Sequence, residues 1–386
     1  MTGSDTGPPV GPISAGDVAW TEWSEVPRFG LRWRHLTLAA VGAGYRVGVV
    51  IEELPPGKQS APAHYHIFEE EHVYVLEGAL TVRLGADAYP MRAGDYVCFP
   101  AGQKAGHCLV DTGDAPCRYV IVGERNPREV VVYTDSNKVL VRSLGPRAIF
   151  DLAARRGYWD GEDTGLPEGR SPPADAAAAA EGPIAPMPPI ASGDVPWEAI
   201  RVGTRFGGRA RHLTRAAVGG PYHVGVLIEA PEPGMGLAPL HYHMLEEEHA
   251  LVLEGEVTLR LGEQRHVMRA GDYACFPAGR RVGHSFLNSG PGPCSYLMIG
   301  ERNPCEVCVY PDSNKVAIDA LRPDDAIFDR SAVRGYGGGG GASRRPPPRG
   351  RARGGRAAAR GPRPAARGRE RRGRTTAGSR TGTARS

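Results

Sequence analysis

The stretch His64-Tyr65-His66-Ile67-Phe68-Glu69-Glu70-Glu71-His72-Val73-Tyr74-Val75-Leu76-Glu77-Gly78 decides how the rest of this chain is read. Successive side chains of an extended strand face opposite sides, so His64 and His66 share a face with Tyr65 turned away between them. A short turn later Glu71 opens a second apolar alternation, which a glycine ends. Two imidazoles and a carboxylate arranged in this way are donors for a first-row divalent metal. The arrangement returns 177 positions later as His241-Tyr242-His243-Met244-Leu245-Glu246-Glu247-Glu248-His249, closing at Gly255. Chance juxtaposition of two histidines does not account for a duplicated one.

Working outward, the repeat extends far beyond the histidines. Ile13 to Trp20 corresponds to Ile190 to Trp197, and Phe29-Gly30 with Arg34-His35-Leu36-Thr37 to Phe206-Gly207 with Arg211-His212-Leu213-Thr214. Gly94-Asp95, Pro100-Ala101-Gly102 and His107 return as Gly271-Asp272, Pro277-Ala278-Gly279 and His284. Ile149-Phe150-Asp151 and Arg156-Gly157-Tyr158 return displaced by 178, as one inserted residue requires. The expected organisation is a first barrel over 13–160, a Pro/Ala-rich linker over 161–188, a second barrel over 189–336 and a disordered Arg/Gly/Pro-rich tail over 337–386. The alanine run Ala176 to Ala180 in the linker is too short for a stable isolated helix.

With 53 glycines and 35 prolines in 386 residues, turns are frequent and strands short, so an all-β body is expected. No apolar run reaches the length of a membrane span, and the first residues lack a basic-then-apolar leader, so a cytoplasmic location is expected. The seven cysteines sit mostly inside apolar runs, as buried thiols do; Cys305 and Cys308, three apart on a strand, face opposite sides. Residues 337–386 carry 15 arginines and one acid, a net +14 against +4 for the whole chain, which leaves −10 on the remainder. An acidic body argues against nucleic acid as its main ligand, whereas contact of the tail with a polyanion is compatible with its charge.

The two motifs resemble those of the cupin superfamily: His64, His66, Glu71 and Gly78 followed by Gly94, Pro100, Gly102 and His107, and again His241, His243, Glu248 and Gly255 followed by Gly271, Pro277, Gly279 and His284. Here four residues separate Gly102 from His107, a longer loop than the family's common spacing. The resemblance implies two double-stranded β-helix (jelly-roll) barrels in tandem. It also implies one divalent metal per barrel, held by His64, His66, Glu71 and His107 and by His241, His243, Glu248 and His284. An open site of three imidazoles and one carboxylate favours Mn, Fe or Ni, and zinc is compatible. Such bicupins often resemble oxalate decarboxylase, whose arginine before the histidine pair is replaced here by Ala61-Pro62-Ala63 and Ala238-Pro239-Leu240. The closer likeness is to bacterial cupins of unassigned function.

The functional expectation is a metal-dependent enzyme acting on a small organic acid or other oxygen-rich metabolite, of oxidoreductase or decarboxylase type. The alternative is a non-catalytic small-molecule binding or storage protein. A homo-oligomer is compatible with either. Catalytic residues beyond the donors are not identifiable from the sequence. Glu69 and Glu70 are read as solvated turn carboxylates, and His72 and His249 as outward-facing packing or interface residues. Asp111 and Asn288 share the face of the third histidine, where a difference in pocket shape and plain filling of the barrel core are both open readings. Lys104 and Arg280 are loop cations, and Arg34-His35 and Arg211-His212 are buried structural pairs.

Overall fold

In a computed structural model, residues 11–145, 148–165, 184–321 and 326–335 are described; the alanine run, Tyr336 and the Arg-rich tail lie outside them. The strand alternation has a direct structural reading. In Glu71–Glu77, Val73 and Val75 point into the first barrel with Val97, Phe99 and Tyr119, while Tyr74 and, in the neighbouring strand, Tyr96 and Cys98 point the other way. These two strands therefore feed two cores, one inside the barrel and one outside.

The first barrel is built from two antiparallel sheets. One runs in the order Ile190–Ala191, Asp95–Phe99, Glu71–Glu77, Cys117–Glu124, Val47–Leu54, Phe29–His35 and Thr21–Val26. The other runs Ile149–Asp151, Lys138–Val141, Val130–Tyr133, His64–His66, His107–Val110, Ala79–Leu84 and Asp87–Arg92. The second barrel repeats this plan, with Val224–Pro231, Glu248–Glu254, Asp272–Phe276 and Ser295–Glu301 in one sheet and Tyr242–His243 in the face opposite. Two six-residue helices, Leu36–Val41 and Leu213–Val218, are the only α-helices among the described residues, and none is long and apolar enough to cross a membrane.

The exterior core joins the barrels. Val47, Val49, Val120 and Val122 of the first pack in one cluster with Leu213, Val224, Val226 and Leu297 of the second. Burying each such side chain contributes about 1.5–3 kcal/mol, so exposing this face would be costly. The barrels also exchange their leading strands: Ile13 pairs with Tyr273 of the second barrel, and Ile190 with Tyr96 of the first. The repeat word beginning at each of these positions thus opens its copy in sequence but joins the sheet of the other copy.

The motif glycines end strands where a side chain has no room. Gly255 has a φ of +72°, and a Cβ there would lie 2.3 Å from the carbonyl oxygen of Pro293. Gly78, at +80°, occupies the same place in the first barrel.

Candidate metal centres

Strand pairing assembles the donors. His64 and His66 lie opposite Tyr133 and Val131, His107 lies opposite His64, and Glu71 begins the next strand opposite Phe99 and Gly123. The donor atoms of His64, His66, Glu71 and His107 all fall within 4.8 Å of one another, as do those of His241, His243, Glu248 and His284. Glu71 Oε2 is 2.9 Å from His107 Nε2 and 3.7 Å from His66 Nε2. Glu248 Oε2 is 2.9 Å from His284 Nε2, 3.2 Å from His243 Nε2 and 3.7 Å from His241 Nε2. Phe99 and Phe276 stack on the third imidazole of each site at 3.8 Å and fix its plane.

The residues behind the donors orient them. His64 Nδ1 lies 2.8 Å from the Pro62 carbonyl and His241 Nδ1 2.8 Å from that of Pro239, which places the proton on Nδ1 and turns the Nε2 lone pair inward. The Ala-Pro words before the histidines thus set the imidazole tautomer. His66 Nδ1 faces Glu129 at 3.6 Å and Glu69 at 3.7 Å; His243 Nδ1 faces Glu306 at 3.5 Å and Glu246 at 3.7 Å. The Nε2 atoms of His66 and His243 are buried without a hydrogen-bond partner, an orphaned state that a bound cation would relieve.

The electrostatics follow from burial and crowding. Burial alone would raise the Glu71 carboxyl, but the hydrogen bond from His107 and the nearby His66 imidazole outweigh it and hold the group well below the usual range. Glu248 behaves alike, with the charge of His243 leading the opposition to burial. Burial and the neighbouring imidazoles push His64 and His284 down to about 4. Burial would lower His66 too, yet Glu129 and Glu71 raise it to about 10. A divalent cation fits this donor set: one ionised carboxylate, inward lone pairs, and carboxylates behind them.

Several residues lie elsewhere than the sequence suggests. Glu69 and Glu70 are not solvated turn carboxylates; both are buried. Glu69 is gripped by Arg142 and accepts the Asn126 N–H. Glu70 reaches into the second barrel and accepts the N–H groups of His223 and Val224 at 2.8 and 3.0 Å. Asp111 and Asn288 do not shape the pockets, because their side chains bond loop backbone: Asp111 accepts from Gly113 and Cys117, and Asn288 donates to Pro231 and Gly292.

The interface reading of His72 and His249 fits the structure. His72 Nδ1 meets the Tyr96 hydroxyl, which bonds Thr214 of the other barrel, and His249, Tyr273 and Thr37 repeat the chain in the opposite sense. Arg34 bonds the Ala15 carbonyl and stacks over Trp20, while His35 caps Leu36–Val41, so that pair is structural but only half-buried. All seven cysteines are free thiols, and only Cys305 is exposed.

Sequence reasoning missed Glu129, Glu306, Glu52 and Glu229. Burial pushes Glu52 and Glu229 up to about 7 in spite of hydrogen bonds from Tyr119 and Tyr296, and the charge of Glu71 or Glu248 adds to the rise. Each is a carboxyl that holds a proton near neutrality beside the donor cluster. The available signal was the displacement of 177 itself, at which all four acids recur.

In the second barrel a cavity of about 260 Å³ opens beside the donors. Its walls include His241, His243, Glu248, Glu246, Arg302 and Asp319. Two complete His/Glu clusters inside paired jelly rolls define a class of protein, and the family model for a cupin domain matches twice, over residues 50–123 and 228–300. The chain belongs to the cupin superfamily and is a bicupin. It is 32% identical over 103 residues to Protein SchB of Streptomyces halstedii, covering 26% of this chain and 70% of that protein. It is 30% identical over 88 residues to the tetracenomycin polyketide synthase protein TcmJ of Streptomyces glaucescens, covering 22% of this chain and only 57% of that relative's length. A Pseudomonas aeruginosa structure assigned as a glyoxylate-induced protein superposes with a TM-score of 0.50 at 18% identity, over 75% of this chain and 88% of that one, a likeness of fold.

Proposed function

We propose that this bicupin is a metal-dependent enzyme acting on a small oxygen-rich metabolite, with one divalent ion held by His64, His66, Glu71 and His107 and one by His241, His243, Glu248 and His284. The observation that carries the reading is the join between a complete donor cluster and an open cavity in the second barrel. Three imidazoles and one carboxylate leave coordination positions open on Mn(II), Fe(II) or Ni(II), and the ion when bound supplies a Lewis-acid centre for substrate oxygen.

The chain's own groups do the rest. Pro239 and Glu306 fix the orientations of His241 and His243, so the donors are set before a ligand arrives. Phe276 covers one face of His284 and keeps water from it. Glu229, hydrogen-bonded to Tyr296, and Glu246, which lines the cavity, are both pushed up to about 7 by burial and are groups that can give or take a proton beside the site. The naming of one relative for polyketide synthesis supports a carbonyl- or hydroxyl-bearing substrate.

The test is elemental analysis of the purified protein, followed by turnover and oxygen uptake with Mn(II), Fe(II), Ni(II) or Zn(II) on a panel of small acids, keto compounds and phenols. Expected are two metal equivalents per chain and turnover with at least one ion, lowered at least tenfold in E229Q with the metal retained. Tight binding without turnover for every ion would leave a binding module instead.

A further inference from the structure

The strands that carry the barrel donors hold a second set of ligating side chains on their other face. Alternation sends Glu71 and Val73 into the first barrel and Glu70 and His72 out of it. Cys98 lies directly opposite His72 in the neighbouring strand and faces outward with it, into the core between the barrels. The three residues return 177 positions later as Glu247, His249 and Cys275, with His249 directly opposite Cys275. All six are buried.

In each set a carboxylate oxygen, an imidazole nitrogen and a thiol sulfur lie within 4.8 Å of one another. His72 Nε2 is 3.8 Å from Glu70 Oε2, too far for a hydrogen bond. His249 Nε2 is 3.4 Å from Glu247 Oε1 but misaligned for one. Both Nε2 atoms are thus buried without a hydrogen-bond partner, on side chains 1% and 0% exposed. The other ring nitrogens are engaged, His72 Nδ1 by the Tyr96 hydroxyl at 2.8 Å and His249 Nδ1 by that of Tyr273 at 2.7 Å. With Nδ1–H donating to the tyrosine oxygen, as metal-bound imidazoles donate to an acceptor behind them, Nε2 turns its lone pair on the carboxylate and the thiol. The opposite sense leaves a proton on Nε2 in the place of an ion, and the two are separable by experiment.

The spacing and the charges suit an ion. Two donors held at about 2.0 to 2.3 Å by a tetrahedral centre stand roughly 3.3 to 3.8 Å apart, the range of the two nitrogen–oxygen separations. A 2+ ion among a carboxylate, a thiolate and a neutral imidazole leaves no net charge, as a buried interface requires. Sulfur and nitrogen beside one oxygen select zinc and ions like it, and three protein donors leave one tetrahedral position for water.

We propose that Glu70, His72 and Cys98, and likewise Glu247, His249 and Cys275, form a second pair of metal sites for a thiophilic divalent ion of the zinc type, set between the barrels. The thiol proton leaves to solvent as the metal–sulfur bond forms. Because Glu70 also accepts the N–H groups of His223 and Val224, and Glu247 those of Arg46 and Val47, each ion ties metal to the packing of the opposite barrel. The clusters are closed to solvent, so an ion enters only as the barrels dock; ions offered to the folded protein reach the barrel centres alone.

The full chain is produced with excess Co(II) in the medium, because Co(II) stands in for zinc and absorbs in the near ultraviolet when bound to thiolate. Expected are four Co(II) per chain, two at the barrel centres and two between the barrels, with a thiolate-to-cobalt band. C98A and C275A should each remove one equivalent and weaken the band, and the double variant should keep two equivalents and lose the band. C308V, which replaces the thiol lining the second cavity by the first barrel's residue, should change neither. H66A with H243A should remove two equivalents and keep the band, so failure at the barrel centres is read apart from failure between the barrels. Two Co(II) without a thiolate band in the unmodified chain, or a band that survives C98A with C275A, overturns the inference and leaves the barrel centres as they stand.

Discussion

The two barrels share their donors and their second layer yet differ at the wall that faces them. His64, His66, Glu71 and His107 superimpose in role on His241, His243, Glu248 and His284, and Glu129 and Glu52 on Glu306 and Glu229. Opposite them, Arg142 and Leu140 become Asp319 and Ala317. The demands differ. A donor cluster tolerates little displacement, because lone pairs must converge on one point, whereas a wall residue can change size or sign and alter only what enters. The contrast separates the question of holding an ion from that of admitting a ligand.

The largest expected effect breaks the comparison at the donors. His66→Ala and His243→Ala should each remove one of two metal equivalents, leaving the other, and the double variant should remove both. Elemental analysis of the purified variants reads this directly. Metal content that survives the double change would exclude the donor sets named above, whatever the cavity binds.

A smaller effect sharpens the comparison at the interface. Glu70 and Glu247 each accept two backbone N–H groups at the start of a strand of the opposite barrel, Glu247 taking those of Arg46 and Val47 at 3.1 and 3.0 Å. Their surroundings differ. Burial leads in raising the Glu70 carboxyl, whereas for Glu247 burial is outweighed by His249 and by the backbone bonds, which hold it below its usual range. Replacing a buried ionised acceptor costs about 1–3 kcal/mol, so E247Q should destabilise by that amount and E70Q by less. Chemical denaturation measures the difference; equal losses would mean that the two carboxylates are in the same ionisation state.

How far the sequence discloses this molecule depends on whether a feature is local. The His-x-His spacing, the carboxylate at the head of the next strand and the glycine after it lie within fifteen residues, and strand alternation alone puts them on one face. The duplication then gives the second barrel, and the outward apolar faces give the packing between the two. Glu70 was illegible because its partner, Val224, is 154 residues away across an interface. Glu69 was illegible because Arg142 approaches it from a separate hairpin. Both look like a charged turn until the second barrel and the hairpin are in place. Glu52 and Glu229 could have been found by asking which acids recur inside apolar strands, VVIEEL in one copy and VLIEAP in the other. The Arg142/Asp319 exchange is visible in the aligned repeat, but nothing in the sequence says that position 142 meets position 69.

The smallest effect concerns a pair of ion pairs that clamp the barrels from opposite sides. Arg46 binds Glu301 and the Leu245 carbonyl, and at the matching place His223 lies with Nδ1 2.9 Å from Glu124 Oε2 while its backbone N–H is taken by Glu70. The first clamp rests on a guanidinium; the second rests on an imidazole, whose charge depends on a proton. The hydrogen bond that its Nδ1–H donates to Glu124 leads in raising the His223 imidazole above its ordinary value, with the charges of Glu124 and Glu70 adding to it. A raised folded value means that the clamp contributes in full below the ordinary histidine value of about 6.5 and is lost as pH rises through the folded value. His223 is about half exposed, so solvent screening limits the contribution to less than about 1 kcal/mol, or about 1 to 2 °C in thermal midpoint for a body of this size. H223R should flatten this part of the stability profile above about pH 6.5, and R46H should deepen it by making both clamps titratable. Identical profiles for the parent, H223R and R46H would show that neither ion pair bears on the packing of the two barrels.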